Sequence, residues 1–590
     1  MSIATDNQLI APRTSVRAGE DVRRIAIGTP LDTEKTEADP FVTELIRNAL
    51  NSAANQMKRA LIRTAYSPII YEGWDFAVVL YDKQLRLLAQ AAALPIFMGT
   101  MNFCIEAAVQ GAGGVERLEP GDVLLYNWPY GTGSHAQDAS ITMPVFRDSG
   151  ELVGYAACKA HWMDIGAKDP YCSDTTDVFQ EGVFFPGVKL YRRGELNDDI
   201  VRMARANTRM PDATIGDIKA QVSCCRVGAK ELLRVIERFG KTTFDACVER
   251  MFDHGETIVR SYLKDIPDGV YTATGGLDNS GVDNKPIEFE ITLEVAGSDI
   301  RLDFSKAPPA ANGPVNCPRA STISGARVLV TMLANVMEQP NEGHFRPITV
   351  ITKEGTLFHP LPPAPCFLYG WSLMPAMETV LKAIGAAAPT RVPARSGGCI
   401  LTLIWWGVRE RTGEMWAAGS PLPVGHGGHA RGDGGTMIHM IQAFGQVPPI
   451  ELWEAKFPWL VERYEFAIDS CGPGQFIGGH GIDIEWRLLE DARFTSTVEQ
   501  TRTPAWGLSG GREGRANGAD ILLPDGSVVA FGKVTGMHAP KGALVRVRSG
   551  GGGGYGAPAS RSPEAVAHDL RDEYVSENFA RMHFPQAFTR

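Results

Sequence analysis

The densest concentration of chemically useful side chains lies between positions 131 and 164. There Gly131-Thr-Gly-Ser-His135-Ala-Gln-Asp138 is followed, after a hairpin pattern, by His161-Trp-Met-Asp164. His135 stands three residues before Asp138 in a segment rich in Gly and Ser, where the chain can curl so that both side chains face one point. Two β-patterned runs follow, Ile141 to Phe146 and Leu152 to Ala160, joined through Asp148-Ser149-Gly150-Glu151. A two-residue Ser-Gly loop there places Asp138 opposite His161, with Cβ atoms about 5 Å apart if no bulge intervenes. Two imidazoles and a carboxylate are a ligand set for Zn²⁺ or a related divalent ion with an open water position. Asp164 then falls where a second carboxylate can orient an imidazole or accept a proton. The competing reading is an ordinary loop histidine and a satisfied strand histidine, because short His/Asp patterns also arise by chance.

Other segments carry weaker signals. His426-Gly-Gly-His429, followed by Arg431-Gly-Asp433, suits ligand or metal binding, or equally a loop beside a substrate pocket. Phe345-Arg346-Pro347 sets a cation in a rigid turn, either as an anchor for a substrate carboxylate or phosphate or as a surface ion pair. The run Ser549 to Gly556 can present successive N–H groups to an anion, although close packing of crossing chains explains the same glycines. Gly240-Lys241-Thr242 ends like a phosphate loop, but Val235 stands where a glycine is required, so no nucleotide cradle is expected. Gly507-Leu-Ser509-Gly-Gly511 has the spacing of a nucleophile elbow without an apolar strand before it or a helix after it, which makes Ser509 a turn residue.

Elements must hold these residues. Phe41, Leu45, Ile46, Ala49, Ala53, Met57 and Leu61 predict an amphipathic helix over 41–65, stopped by Pro68. Short β-rich runs follow at Phe76 to Tyr81, Leu85 to Leu88 and Val123 to Tyr126, ahead of the hairpin. Helices are expected at 217–239, 243–265, 319–338 and 373–386, with a strand block from Tyr271 to Phe304. After Trp459 the chain reads as mainly β, and 20 of the 63 glycines fall between Gly472 and Gly556. The expected class is α+β, a large mixed multi-layer fold with a β-rich, glycine-dense C-terminal third. The expected division is a flexible tail over 1–39, a metal-site domain over 40–310, a middle α/β region over 311–460, and a β-rich region with terminal helices over 461–590.

Composition bounds the function. With 58 Lys+Arg against 68 Asp+Glu the net charge is −10, which supplies no electrostatic reason to bind nucleic acid or an anionic membrane. The most apolar run, Cys399 to Val408, is half of the about 20 residues that a membrane span needs. Ten cysteines without a C-x-x-C pair, together with a polar N-terminus lacking an apolar signal core, fit a reducing cytoplasm.

A set of short motifs runs along the chain: Arg63-Thr-Ala-Tyr-Ser67, Glu72-Gly-Trp-Asp75-Phe76, Gly121 to Tyr130, His135-Ala-Gln-Asp138, Ala160-His161-Trp-Met-Asp164-Ile-Gly166 and Gly216-Asp217-Ile-Lys-Ala-Gln221. It continues through Gly313-Pro-Val-Asn316, Phe345-Arg-Pro-Ile348, Asp469-Ser-Cys-Gly-Pro-Gly474, Gly478-Gly479 and the run ending at Gly556. On these motifs, over residues 41 to 583, the chain resembles the hydantoinase B/oxoprolinase family, the B-type subunits of ATP-dependent hydantoinases, lactamases and related ketone carboxylases. The resemblance implies a divalent metal, Zn²⁺ first and Mn²⁺ or Fe²⁺ also suitable, held by Asp75, His135, Asp138 and His161. It also implies an A-type partner that binds ATP and Mg²⁺, in a heteromer of α2β2 or larger. Trp128 and Trp162 depart from the family pattern, which makes them, with Trp371 and the 426–433 loop, candidates for contacting substrate. The implied activity is hydrolysis of a hydantoin or lactam ring; the alternatives are ketone carboxylation and a scaffold without chemistry.

Overall fold

The computed structural model describes residues 38–334, 338–437 and 449–588, so positions 1–37 of the expected tail lie outside the described residues. Helix α1 (Pro40–Thr64) starts where the Asp39 side chain accepts from the Val42 amide and Pro40 takes the first helical position. Its buried stripe is Ile46, Leu50, Ala53, Met57 and Leu61. Phe41 and Leu45, counted in the expected stripe, are 71% and 39% exposed. The helix ends at Thr64, and Pro68 opens a separate turn of helix, Pro68–Tyr71.

The centre of the molecule is a seven-stranded sheet made of β1 (Phe76–Asp82), β2 (Leu87–Gln90), β3 (Val123–Tyr126), β4 (Asp138–Phe146), β5 (Leu152–His161), β6 (Pro186–Arg192) and β7 (Glu195–Leu196). Their order is β2-β1-β5-β4-β3-β6-β7, antiparallel throughout. Helix α2 (Met101–Gly111) packs on one face, while α3 (Pro211–Phe239) and α4 (Lys241–Leu263) join α1 on the other. Alternate residues divide accordingly: Val78, Leu80, Ala156 and Cys158 enter the core with α1 and α3, whereas Val79, Tyr81, Tyr155 and Ala157 enter the other core. Burial on both faces is why these strands read as apolar runs rather than as alternation.

Next come β8 (Gly269–Leu277), β9 (Ile287–Ala296), β10 (Asp299–Asp303), α5 (Arg319–Leu333), β11 (Ile348–Ile351) and α6 (Tyr369–Ala387). β11 is parallel to β10, which completes the sheet β11-β10-β9-β8. The helix expected to reach 338 ends at Leu333, and α6 begins four residues earlier than expected, with Pro375 inside it. Strands β12 (Leu403–Val408), β13 (Met415–Ser420), β14 (Trp459–Phe466), β15 (Ile482–Leu488), β16 (Ala492–Thr497), β17 (Gly518–Leu522), β18 (Val528–Ala530), β19 (Lys533–Ala539) and β20 (Leu544–Arg548) form two further sheets. Their orders are β13-β12-β16-β19 and β14-β15-β20-β17-β18. The fold is thus a mixed α+β assembly of several sheets, closed by the short helices Pro563–Arg571 and Glu577–His583. Among the described residues, no helix is long and apolar enough to cross a membrane, and all ten cysteines are buried thiols.

Some glycines of the C-terminal third turn the chain, as Gly510, Gly526 and Gly542 do with positive φ, but the run at its centre does something else. Glycines 550 to 554 have no positive φ, which glycine-dependent turns would need. Instead the run threads between three other segments: Gly425 N–H donates to Gly550 O at 3.0 Å, Gly472 to Gly552 O at 2.7 Å, Gly428 to Gly553 O at 2.8 Å and Leu508 to Gly554 O at 2.9 Å. A Cβ on Gly552 would sit 1.9 Å from His426 O, and one on Gly551 would sit 1.8 Å from Ser470 O. The amides of Gly551, Gly552, Gly553 and Gly554 donate to the carbonyls of Arg515, Gly479, Arg395 and Arg512. No N–H is left over for the anion nest considered from sequence; the run is a backbone-packed bundle.

Candidate metal centre

The chain presents His135 from the turn that precedes β4. Asp138 N–H closes it by donating to His135 O at 3.1 Å. Gly133 has φ +77°, and a Cβ there would lie 2.9 Å from Ser321 N, so both conformation and space demand glycine. Lys159, fully buried on β5, donates to Thr132 O at 3.1 Å, Thr100 Oγ1 at 2.9 Å and Ser134 Oγ at 3.4 Å, which ties the turn to the sheet.

Asp138 opens β4, His161 ends β5, and the two are directly paired, as the hairpin arithmetic predicts. The route to that register differs from the expectation. The turn contains Asp148, Ser149 and Gly150, closed by Arg147 N–H to Glu151 O at 2.9 Å, with Gly150 at φ +82°. Phe146 then faces Leu152, but Val145 faces Gly154, so Val153 is an extra residue in β5. The longer turn and the bulge cancel, leaving Asp138 and His161 opposed. Asp75 sits just before β1, and its carbonyl accepts from His161 N–H at 3.1 Å.

The side chains converge. His135 Nε2 lies 3.1 Å from Asp138 Oδ1 and 3.0 Å from His161 Nδ1, and His161 Nδ1 lies 3.0 Å from Asp138 Oδ1. His135 Nδ1 is 2.9 Å from Phe367 O, which can only accept, so the proton of the neutral ring is on Nδ1 and Nε2 presents a lone pair. A lone pair, a carboxylate oxygen and a second imidazole nitrogen thus crowd one point, and a single divalent cation satisfies all three. Bonds of about 2.0–2.2 Å to one ion put neighbouring donors roughly 3 Å or slightly more apart, so the triangle has the size of a coordination face. Burial opposes ionisation of Asp138, but the two imidazoles outweigh it and hold the carboxyl well below its usual range. Asp75 stands outside the triangle, with Oδ1 buried and lacking a hydrogen-bond partner. Burial, against the pull of the imidazoles, pushes its carboxyl up to about 6. The donor set and the orphaned oxygen both fit a bound divalent metal.

A cavity of about 150 Å³ opens over these ligands. Asp75, His135, Asp138 and His161 line it together with Tyr171, Tyr369 and Trp371, and Tyr369 Oη reaches Asp138 Oδ2 at 3.4 Å. Its walls come from both the 40–310 and the 311–460 segments. Phe367, whose carbonyl fixes His135, is itself held by Glu181, which accepts from Cys366 N–H at 2.8 Å and Phe367 N–H at 2.9 Å. Burial pushes the Glu181 carboxyl up to about 8.

Several expected site residues lie elsewhere. Asp164 is bound to the Arg209 guanidinium at 2.6 Å and to Thr208, and it does not line the cavity, so its carboxylate is not placed to orient an imidazole or to take a proton there. Trp162 is buried in the sheet–α3 core, with Nε1 donating to Gln221 at 2.7 Å. Trp128 packs in an aromatic cluster with Tyr130, Phe179 and Phe184. Neither tryptophan lines the cavity, because their neighbouring strands turn them into core layers. Arg346 meets Glu249, Asp253 and Glu256, which is the ion-pair reading rather than a substrate anchor. His426 and His429 belong to the glycine bundle: His426 O accepts from Gly479 N–H at 2.7 Å, and His429 N–H donates to Gly432 O at 3.0 Å. Tyr171, Phe367, Tyr369 and Glu181 carry no sequence motif, whereas Lys159 was detectable as a charge in the apolar run Ala156-Ala-Cys-Lys159-Ala.

The chain matches the hydantoinase B/oxoprolinase family over residues 39–558. It belongs to that family. The B-type component of the putative D-/L-hydantoinase of Pseudomonas sp. strain NS671 is 28% identical over 582 residues, covering 95% of this chain and 97% of the relative. The beta chain of the caprolactamase of Pseudomonas jessenii is 30% identical over 569 residues, with 92% and 96% covered. The crystal structure of the ATP-dependent caprolactamase from that organism superposes with a TM-score of 0.85 at 27% identity, over 93% of this chain and 96% of that one. An acetone carboxylase, solved without nucleotide, shares the fold with a TM-score of 0.84 at 20% identity, over 94% and 80% of the two chains. The first two relatives are named as single subunits of larger enzymes.

Proposed function

We propose that this chain is the metal-bearing subunit of an ATP-dependent cyclic-amide hydrolase, acting on a hydantoin or lactam ring together with an ATP-binding A-type subunit. The observation that carries the reading is the triangle of His135, Asp138 and His161 on one wall of a largely apolar cavity, which Asp75, with its orphaned Oδ1, also lines. His135, Asp138 and His161 hold the ion and Asp75 completes the donor set, with Zn²⁺ first and Mn²⁺ or Fe²⁺ also compatible. A divalent ion there supplies Lewis acidity and lowers the pKa of water toward about 7.

The chain's own residues do the rest. Phe367 O fixes the His135 tautomer so that Nε2 stays available, and Glu181 fixes Phe367. Asp138 supplies the negative charge between the imidazoles, and Tyr369 limits its rotation. Apolar walls keep bulk water from an activated intermediate. Activation falls to the partner: amide resonance makes the ring carbonyl a poor electrophile, and the A-type subunit phosphorylates its oxygen with ATP and Mg²⁺. The complex is a cytoplasmic heteromer of α2β2 or larger, with a broad stable interface because the intermediate must pass between subunits. Ring opening by the purified complex, assayed with and without ATP, tests the reading; ATP-independent turnover contradicts it. Bicarbonate-dependent ATP consumption with a ketone would select carboxylation instead.

A further inference from the structure

The chemistry of the cavity wall points to a narrower substrate class, and we propose that the cavity takes an uncharged single-ring amide with apolar ring carbons and rejects ring amides that carry a carboxylate. The reaction in this proposal rests on the hydrolase reading above; the selection rests on the cavity alone.

Size sets the first limit. A cavity of about 150 Å³ matches the volume in which an apolar protein cavity holds one benzene ring. One five- to seven-membered ring fits, and two do not. The second limit is the wall. Beyond the metal ligands and Asp75, the ring meets Leu94, Ile96, Phe97, Trp371, Met374 and Ile404. Ring methylenes gain by leaving water against such surface.

Charge sets the third limit. Among the described residues no Lys or Arg lines the cavity, while Glu72, Asp75 and Asp138 do. Two lysines stand behind the lining, and both are engaged. Lys159 Nζ lies 3.9 Å from the Phe97 ring centroid and donates to Thr100, Thr132 and Ser134. Lys456 Nζ is 3.1 Å from the Glu72 carboxylate. A carboxylate on a ring carbon would therefore lose its hydration without gaining a free cation, which is the costly way to bury a charge. An ion held by the histidines and Asp138 would be offset by the charge of its own ligands, so it would not serve as a separate partner for that carboxylate.

The test compares two rings that differ by one group. Ligand-observed NMR on the full chain loaded with Zn²⁺ should give 2-pyrrolidinone a dissociation constant at least roughly tenfold below that of 5-oxoproline, and 2-piperidone, with one more methylene, should bind more tightly than 2-pyrrolidinone. Equal or tighter binding of 5-oxoproline overturns the selection, as does failure of every ring to bind. Ile69→Arg places a cation on the half-buried wall and should narrow the ratio by improving 5-oxoproline binding; an unchanged ratio in a folded variant also counts against the proposal. If that variant does not fold, the wild-type pair decides. Turnover is read separately with the ATP-binding subunit. Lactam binding without ATP-dependent ring opening removes the hydrolase reading and leaves the selection standing.

Discussion

The metal end of the seven-stranded sheet and the glycine bundle of the C-terminal third are both assembled from distant segments, by opposite means. At the metal end, side chains carry the information: strand register sets Asp138 against His161, and Asp75 O receives the His161 amide. In the bundle, the absence of side chains is the information, because neighbouring backbones approach within the space a Cβ would occupy. Removing a side chain at the first should cost function and little fold, whereas adding one methyl at the second should cost the fold.

The largest expected effect breaks the bundle. Gly552→Ala would put a methyl 1.9 Å from His426 O, against the backbone of His426 and Gly427, and the cost should exceed roughly 4 kcal/mol, enough to prevent soluble folded protein. Circular dichroism and expression yield report it; a folded Gly552→Ala protein would show that the bundle relaxes. By contrast His161→Ala should stay folded and lose at least about a hundredfold in metal affinity. In the wild type, protons on His135, whose pKa lies above its ordinary value because Asp138 outweighs burial, and on Asp75, near 6, compete with the ion. Metal affinity should therefore fall as pH drops through about 6. Affinity independent of pH between 5 and 8 would argue against this ligand set.

The contrast also explains what the sequence disclosed. Period-two patterning and turn spacing brought His135, Asp138 and His161 together, even though the turn and a bulge at Val153 each departed from the assumed hairpin and cancelled. Asp75 needed the family resemblance, since nothing in spacing links position 75 to position 161. Asp164 was misplaced because three residues beyond a strand end the chain leaves the ladder, and its carboxylate went to Arg209. Trp128, Trp162 and Arg346 were chosen by residue type and departure from pattern, which do not report which face of a layer a side chain enters. Close packing of crossing chains was legible for the run Ser549 to Gly556, but which segments cross it was not, because glycines in extended contact have no hydropathy period. For the same reason nothing in the sequence showed that the backbones of His426 and His429 join that bundle.

A smaller effect sharpens the boundary between site and support. Glu181 touches no metal ligand, yet it positions Phe367. Its carboxyl, raised by burial from 4.5 to about 8, binds a proton in the folded state that the unfolded state has released. Stability should accordingly decline as pH rises from 4.5 to about 8 and level off above it. Glu181→Gln keeps the acceptor for the two amides and should remove that part of the decline, seen as a melting temperature that falls less steeply over this range, with metal content unchanged. A parallel decline in both proteins would place the titration elsewhere.

The most direct test of the central claim is the metal content of the purified full chain, measured by elemental analysis for the wild type and for His135→Ala and His161→Ala. The wild-type chain should carry about one equivalent of Zn²⁺, Mn²⁺ or Fe²⁺, lost from both variants together with ATP-dependent ring opening by the complex. Sub-stoichiometric metal in the wild type, unchanged in the variants while the complex keeps its activity, would contradict it and make the chain a scaffold for its partner.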